Sequence, residues 1–483
     1  MSTVPVASGH GETKLVRALS LRDAAALVIG TVIGTGIFLK TAPMSQLLGS
    51  PSMVLFAWVA AGLLSLAGAL TYAELGAMLP KAGGEYVFLR EAYGDLLAFL
   101  FGWANMAIIA TGAIAALGTA FASFLSAFVP MSAVYAESTF QLLGQEVHWQ
   151  FGIRQVVAVA VILLFTAVNT VGVATSGRIQ WLLTAAKVLG ITVIVGGAFL
   201  LSRSASWAHL STPQTVAATA GGVSAFGAAM IAALWAYQGW SHMPMVAGEM
   251  RNPERDIPRG LIYGMFIVLG IYLLTNVAYF YALPFNEVVT SSSTAHRDAL
   301  PVATKATQSF LGSKASAVVT IAFLLSLIGA LNGVVVMNAR VPYAMARDGL
   351  FFRGLGELSP TTGVPARAVW AQGIWGALLA LSGTFDQLTT SSIFAVWIFF
   401  ALAAGAVLVL RKKMPDLPRP YRTFGYPLVP ILFILVASWL VINTLRTNPV
   451  ESAAGLLLIG LGIPFYLYFR KGSRGISSGS RKE

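Results

Sequence analysis

Gly30-Thr31-Val32-Ile33-Gly34-Thr35-Gly36-Ile37-Phe38 decides the fold, and it sits in the middle of an apolar run from 23 to 48. A helix of ~20 apolar residues crosses a bilayer; three glycines near its centre weaken it. Gly30 and Gly34 form a GxxxG pair, the small-residue pattern that lets helix backbones approach in a membrane. Gly36, two residues on and separated by Thr35, is not explained by packing of that kind. A Gly-Thr-Gly step suits unwinding, which frees backbone N–H and C=O groups at mid-membrane depth. Such groups are tolerated only where protein or a water-filled cavity satisfies them.

Around this stretch the chain is strongly apolar. Of its 483 residues, 57% are hydrophobic and 10% charged, less than half the ~25% charge of soluble domains. That composition excludes a soluble enzyme, a disordered chain and a fibrous one. The long unbroken apolar runs also argue against a membrane β-barrel, whose strands alternate polar and apolar residues. Twelve apolar runs are separated by charged or Pro/Gly-rich breaks, at 23–48, 53–78, 95–128, 153–172, 176–201, 221–247, 260–283, 316–346, 368–384, 389–410, 427–445 and 452–470. The expectation is an all-α polytopic membrane protein. Its expected organisation is a tail (1–22), a core of ten spans (23–410), a basic loop with spans eleven and twelve (411–470) and a second tail (471–483). Residues 1–22 are polar and lack the short apolar region of a cleavable signal peptide.

The net charge is +12, and its distribution reports orientation. With the N-terminus inside, 23 of the 31 Lys and Arg residues fall in inner segments, such as Arg251, Arg255 and Arg259 or Arg411, Lys412 and Lys413. Six fall in outer loops: Arg154, Arg203, Arg297, Lys305, Lys314 and Arg446. By the positive-inside rule both termini are expected in the cytoplasm of a cell bounded by this inner (plasma) membrane. The Arg411-Lys412-Lys413 run reads as a stop and a contact for anionic lipid. The excess of basic charge is therefore no sign of nucleic acid.

The sixth run repeats the interruption. Trp235-Ala236-Tyr237-Gln238-Gly239-Trp240 again places a glycine and a polar residue inside a span. Spans one and six are corresponding positions in two halves of five, and paired interruptions of this kind point to the binding site of an inverted-repeat transporter. Half-helix N-termini offer N–H groups and partial positive charge to a carboxylate, while the opposing ends offer carbonyls to an ammonium. A zwitterionic amino acid meets both.

These residues resemble the amino acid–polyamine–organocation superfamily, and more closely its L-type amino acid transporter branch. The resemblance runs from Leu21 to Phe469 and is carried by Gly34-Thr35-Gly36-Ile37-Phe38, Pro80-Lys81-Ala82-Gly83-Gly84-Glu85-Tyr86, Trp235 to Trp240, Glu249 to Pro258 and Asn332-Gly333. It implies a five-plus-five inverted repeat with helices one and six unwound at mid-membrane, two additional helices, and alternating access around a central site. It implies that the substrate carboxylate meets the backbone at Gly34, Thr35 and Gly36 and the ammonium meets carbonyls near Val32, Ile33 and Trp235, with Ala236 and Gln238 beside them. Trp235 stands where L-type members usually carry the Phe that closes over substrate; Trp there resembles antiporters of decarboxylation systems. Gating by Trp235, Glu85, Arg90 and Arg255 is the further implication, with ion pairs in the loops that follow spans two and six.

Lys187 lies about twelve residues from the inner end of span five, ~18 Å deep at 1.5 Å per residue. A central lysine costs ~2.5–3.5 kcal/mol on insertion scales and should face the bundle interior. No Asp or Glu lies at comparable depth, so the expected partners are carbonyls of the unwound first helix and polar side chains such as Ser326. Sodium-coupled relatives hold a sodium ion between helices one and eight; in the family resembled here a lysine of helix five supplies that charge. The expected activity is thus sodium-independent secondary transport of L-amino acids, by exchange or facilitated movement. No buried carboxylate is apparent to neutralise a cationic side chain, which points to neutral substrates. A titrating Lys187 would mean a proton-coupled importer, and a cationic amino acid or polyamine antiporter is the other alternative. A channel, normally built on a continuous pore, fits poorly. An enzyme is not expected, nor a cofactor or metal, since the five histidines show no ligand spacing; His242 alone lies in a span. The partners expected are the amino acid and membrane lipid, with the chain a monomer or weak homo-oligomer. The animal members' covalent link to a glycoprotein through cysteine is impossible, because the chain has none.

Overall fold

The computed structural model describes residues 15–142, 145–211, 222–293, 295–296, 299–382, 385–447 and 449–479. Span one is not one helix. Leu21–Val32 stops, Ile33 to Thr35 are non-helical, and helix resumes as Gly36–Leu39 and then Thr41–Leu48. Its start is set by Ser20, whose N–H and hydroxyl both donate to the Asp23 carboxylate at 2.8 and 2.7 Å, an acid three residues into the helix reaching back over its first turn. Span two, Pro51–Met78, begins with proline at its first position, and the Ser50 hydroxyl accepts from the Met53 N–H at 3.2 Å.

Span three runs over Asp95–Leu125 with a π turn at Asn105–Ile109. Spans four and five are Ile153–Val168 and Val173–Leu201. Span six is broken like span one: α-helix over Gly222–Ala236, a turn at Tyr237 to Gly239, then a 3-10 segment over Trp240–Glu249. Spans seven to twelve follow at Pro253–Ala282, Ala315–Asn338, Ala366–Leu381, Phe385–Lys413, Leu428–Thr447 and Ser452–Lys471. Nine helical segments among the described residues are long and apolar enough to cross a membrane. Spans four, six and nine are the shorter members, at 16, 15 and 16 residues.

Span seven packs against spans one and two, span eight against one, three and five, and span nine against three and four. Spans eleven and twelve lie outside this core and leave Leu432, Leu435, Leu457 and Tyr468 exposed, an apolar surface that only lipid or another apolar partner covers at low cost. The chain is not helical throughout, however. Residues 129–152 read as a mixed loop, yet Val134–Leu142 and Gln145–Gly152 pair as an antiparallel hairpin. The Trp149 indole N–H ties it to the Leu381 carbonyl at the end of span nine, at 2.8 Å. This fixed point lies outside any hydrophobic periodicity, which is why the run looked like a loop.

Candidate substrate site

The two breaks meet at the centre of the bundle. Gly239 has a φ of +121°, and a β-carbon there would sit 3.0 Å from the Thr31 carbonyl carbon and oxygen. Handedness and close approach both select glycine. The Tyr272 hydroxyl of span seven lies 2.9 Å from the Val32 and the Ala236 carbonyls, so one side chain couples the last helical turns before both breaks. At Gly36 an added β-carbon would lie 2.4 Å from the Ala236 β-carbon and 2.8 Å from its α-carbon. The GxxxG reading divides here. Gly30 is a packing glycine against Gln180 and Thr184 of span five, whereas a β-carbon added at Gly34 would meet only the Val32 carbonyl, at 4.0 Å, among the described residues.

Gly34 is open because it borders a cavity of about 190 Å³. Val32, Gly34, Thr35, Gly36, Trp235, Ala236 and Gln238 all line it, together with Ser241 and His242. The opposite wall is apolar, from Ile109, Ala113 and Leu117 of span three, Leu327 and Val334 of span eight and Phe400 of span ten. Among the described residues no charged side chain lines it. Ile33 stands apart from the other predicted binding residues. It is fully buried, and its carbonyl already accepts from Lys187 at 2.7 Å and from the Ser326 hydroxyl at 2.8 Å, so it is not free for a ligand.

Lys187 is 1% exposed. Its ammonium donates to the carbonyls of Gly30 (2.7 Å), Ile33 (2.7 Å) and Ser326 (3.1 Å), three acceptors for three N–H donors. Ser326 contributes its backbone carbonyl to the lysine, not the side chain expected, because the hydroxyl is turned to Ile33. Span five is tied to span one a second time, through the Thr184 hydroxyl and the Ala26 carbonyl at 3.1 Å. Asn332, left open between pathway and helix contact, is fully buried. Its amide donates to Gln180 at 2.8 Å and accepts from Asn169 at 3.0 Å, tying spans four, five and eight.

The predicted gating residues divide. Trp235 is half-buried, with the Lys40 ammonium 4.5 Å from its ring centre, a cation–π contact the sequence did not announce. Arg90 pairs with Asp95 at 2.9 Å and with Asp348 at 2.7 Å, linking the helix Glu85–Tyr93 to the chain beyond span eight. Glu85 corrects the expectation of an ion pair: it is 1% exposed and accepts from the Tyr72 hydroxyl at 2.6 Å. Arg255 is exposed, and its side chain has no ionic partner among the described residues.

Instead, Glu249 and Arg340 form a buried pair at 2.6 and 2.8 Å, with the guanidinium also donating to the Val336 carbonyl. Arg411, read as a lipid contact, holds Glu74 bidentately at 2.8 and 2.7 Å, with its guanidinium 3.6 Å from the Tyr426 ring centre. The signal for both was present, since Glu74 and Arg340 fall inside predicted spans, where a charge requires a partner. This face of the bundle is sealed. Gly83 N–H donates to the Met245 carbonyl at 2.9 Å, and Leu19 is bonded on one side to Glu249 and on the other to Arg251. The cavity extends the other way, along span three from Ile109 to Ala120. Among the described residues no three His, Asp or Glu side chains are placed to hold a metal.

The sequence profile of the amino acid permease family matches residues 19–463. The chain belongs to the amino acid permease family. The serine/threonine exchanger SteT of Bacillus subtilis is 33% identical over 459 residues, covering 95% of this chain and 98% of that protein. The human b(0,+)-type amino acid transporter 1 is 30% identical, over 95% of this chain and 88% of its own. The human cystine/glutamate transporter is likewise 30% identical, over 95% and 87%. The chain is therefore a multi-pass membrane transporter of the L-type branch and not an enzyme. Its fold class is that of the family, the polytopic helical bundle whose first and sixth helices are broken.

Proposed function

We propose that this permease is a sodium-independent exchanger of neutral L-amino acids, operating by alternating access in the inner (plasma) membrane with both termini in the cytoplasm. One observation carries the reading: both helix breaks border the same cavity, while Lys187 occupies the carbonyl cluster between spans one, five and eight. The backbone at Gly34, Thr35 and Gly36 receives the carboxylate at the start of a helix. Carbonyls of the chain before each break, at Val32, Trp235 and Ala236, face the ammonium. Gln238 borders the same space, and Trp235 closes over it. The ammonium of Lys187 stands where a sodium ion would otherwise bind three carbonyls, so no sodium is required. Residues 23–410 form the transport core, and spans eleven and twelve flank it against lipid.

The apolar wall facing the breaks supports a neutral side chain, and the buried carboxylates Glu74, Glu85, Glu249 and Asp256 all lie outside the cavity lining, which disfavours a cationic amino acid or polyamine. Exchange is supported by the relatives, one of which is a serine/threonine exchanger. The test is uptake of labelled amino acids into proteoliposomes preloaded with unlabelled ones, with sodium replaced by choline. Saturable uptake stimulated by internal neutral amino acid and indifferent to sodium is expected. Uptake that needs sodium, or that internal substrate does not stimulate, would overturn the reading.

A further inference from the structure

Glu85 opens the short helix Glu85–Tyr93 behind Gly83-Gly84, whose glycines lie at φ of +112° and +51°. Its carboxyl is buried and accepts from a tyrosine that is itself packed among aromatic rings. Tyr72, which donates to it, lies edge-on to Phe88, Trp240 and Phe400 with centroids 5.9, 5.0 and 6.2 Å away. The Ser241 side chain stands beside the carboxyl and favours its charged form, and Ser241 also lines the substrate cavity. The Tyr72 hydroxyl is thus the hydrogen-bond donor, among the described residues, to a carboxyl that is 1% exposed.

The charged groups on the surrounding elements are committed elsewhere. Glu74 of span two is held by Arg411, Arg90 by Asp95 and Asp348, and Arg340 beyond span eight by Glu249. Lys81 lies 3.6 Å from Glu91, and Lys413 of span ten donates to the Glu91 carbonyl at 2.8 Å. Arg347 has its own contacts, and His242 of span six stands in the cavity wall. A charged carboxylate enclosed without a cation is costly, whereas a neutral acid between hydroxyls is not. Burial accordingly pushes the Glu85 carboxyl up to about 8, the bonds from Tyr72 and Ser241 drawing it only part of the way back.

The same loop is the seal. Gly83 N–H donates to the Met245 carbonyl, and the space beside Gly84 is filled by Met245 at 2.8 Å. Opening this face requires the loop to leave the 3-10 segment of span six, which removes Ser241 from Glu85 and admits water. We propose that Glu85 is a proton-binding site of the cytoplasmic gate: it takes a proton from cytoplasmic water as the gate closes and returns it to the same side as the gate opens. The exchange is between a carboxylate oxygen and water, with no electron transfer and no net movement of protons across the membrane. Cytoplasmic pH thereby sets the gate equilibrium.

The sign follows from linkage. A wetted glutamate titrates near ~4.3 and the sealed one near 8, so between those values closure binds the proton. Acidifying the cytoplasmic side favours the closed gate, and the closed-state stability is lost as pH rises through about 8. The equilibrium moves by at most ~10-fold per pH unit.

This inference rests on the alternating-access reading, and the test separates the two. Exchange is measured in inside-out membrane vesicles, which present the cytoplasmic face to the bath, with bath pH stepped from ~6 to ~9 and luminal pH clamped. The parent chain should exchange several-fold faster at the alkaline end, and Glu85→Gln, permanently neutral, should give a flat profile at the acid-limb rate. A Glu85→Gln profile that still rises with pH overturns the proposal, as does a flat parent profile with normal exchange. No exchange by the parent chain at any pH breaks the functional reading and this proposal with it. Tyr72→Phe covers a Glu85→Gln protein that fails to fold. Losing a bond that favours the charged carboxylate should move the midpoint to higher pH, and an unmoved midpoint overturns the proposal. A pH dye on the far side of the vesicle should register no substrate-driven proton flux, and a flux matched to substrate would refute the one-sided proton.

Discussion

The breaks in spans one and six occupy equivalent places but are held differently. In span one the carbonyls of Gly30 and Ile33 are gripped by the ammonium of Lys187, and Ile33 is held again by Ser326. In span six no charged side chain grips the break itself among the described residues; the ion pair of Glu249 with Arg340 lies at the far end of the 3-10 segment. The chain past the break is positioned by a positive-φ glycine against Thr31, by Tyr272 at the Ala236 carbonyl, and by edge-on and tilted aromatic rings around Trp240, and it continues as a 3-10 segment containing Pro244. Charge-assisted bonds are roughly twice as strong as neutral ones, and 3-10 geometry makes poorer backbone bonds than α-helix. The first break is therefore expected to be the fixed half of the cradle and the sixth the half that moves.

The severest challenge to this comparison is Gly36→Leu. Its side chain would enter the space of the Ala236 backbone and wedge the two breaks apart, so binding should fall by ~100-fold or more, about 2.7 kcal/mol. Substrate-induced thermal stabilisation of the purified protein reads this directly, and normal affinity would mean that the breaks do not form the site. Next comes Lys187→Ala. Three carbonyls lose a donor, at ~1–3 kcal/mol for each group left unsatisfied. Exchange should drop by more than ~10-fold while surface abundance changes far less, and intact flux would dissolve the distinction between fixed and moving halves. Tyr272→Phe sharpens the comparison, because its hydroxyl lies 2.9 Å from a carbonyl at each break. A loss of ~1 kcal/mol, seen as a roughly 5-fold weaker apparent affinity, is expected. An effect on rate without affinity would place the hydroxyl in the motion instead. Trp235→Phe should do least, ~2–3-fold in rate or substrate preference, because the ring is half-exposed and its neighbour Lys40 keeps other contacts; an unchanged profile returns Trp235 to ordinary packing.

Much of this arrangement could be read in advance where the signal was local. Three glycines and a threonine in an apolar run marked one break, Gln238-Gly239 among aromatics the other, and the depth of Lys187 required an inward partner. What escaped was pairing across distance. Glu249 meets Arg340 from 91 residues away, and Glu74 meets Arg411 from 337. Hydropathy treated these as charges at the ends of spans, although each needed a counter-ion. Arg255 and Glu85 show the opposite error, since charge alternation in a loop suggested ion pairs. One side chain went to solvent and the other into the interior with a tyrosine hydroxyl as its partner. The hairpin at Val134–Gly152 was invisible for a similar reason, as its anchor is a single indole contact to span nine.

From the order of residues alone follow the membrane class, the spans, the two breaks, the expectation of a basic-inside orientation and the need to neutralise one deep cation. All of these depend on the chemistry of neighbouring residues and on how much apolar surface a bilayer accepts. Only the folded bundle decided that the Ile33 carbonyl is taken by Lys187, that Gly30 packs while Gly34 opens to the cavity, and that Glu85 is shut away with no counter-charge paired to it among the described residues. Those outcomes turn on which helices pack together and on distances of a few ångströms. Periodicity along one chain carries no information about either.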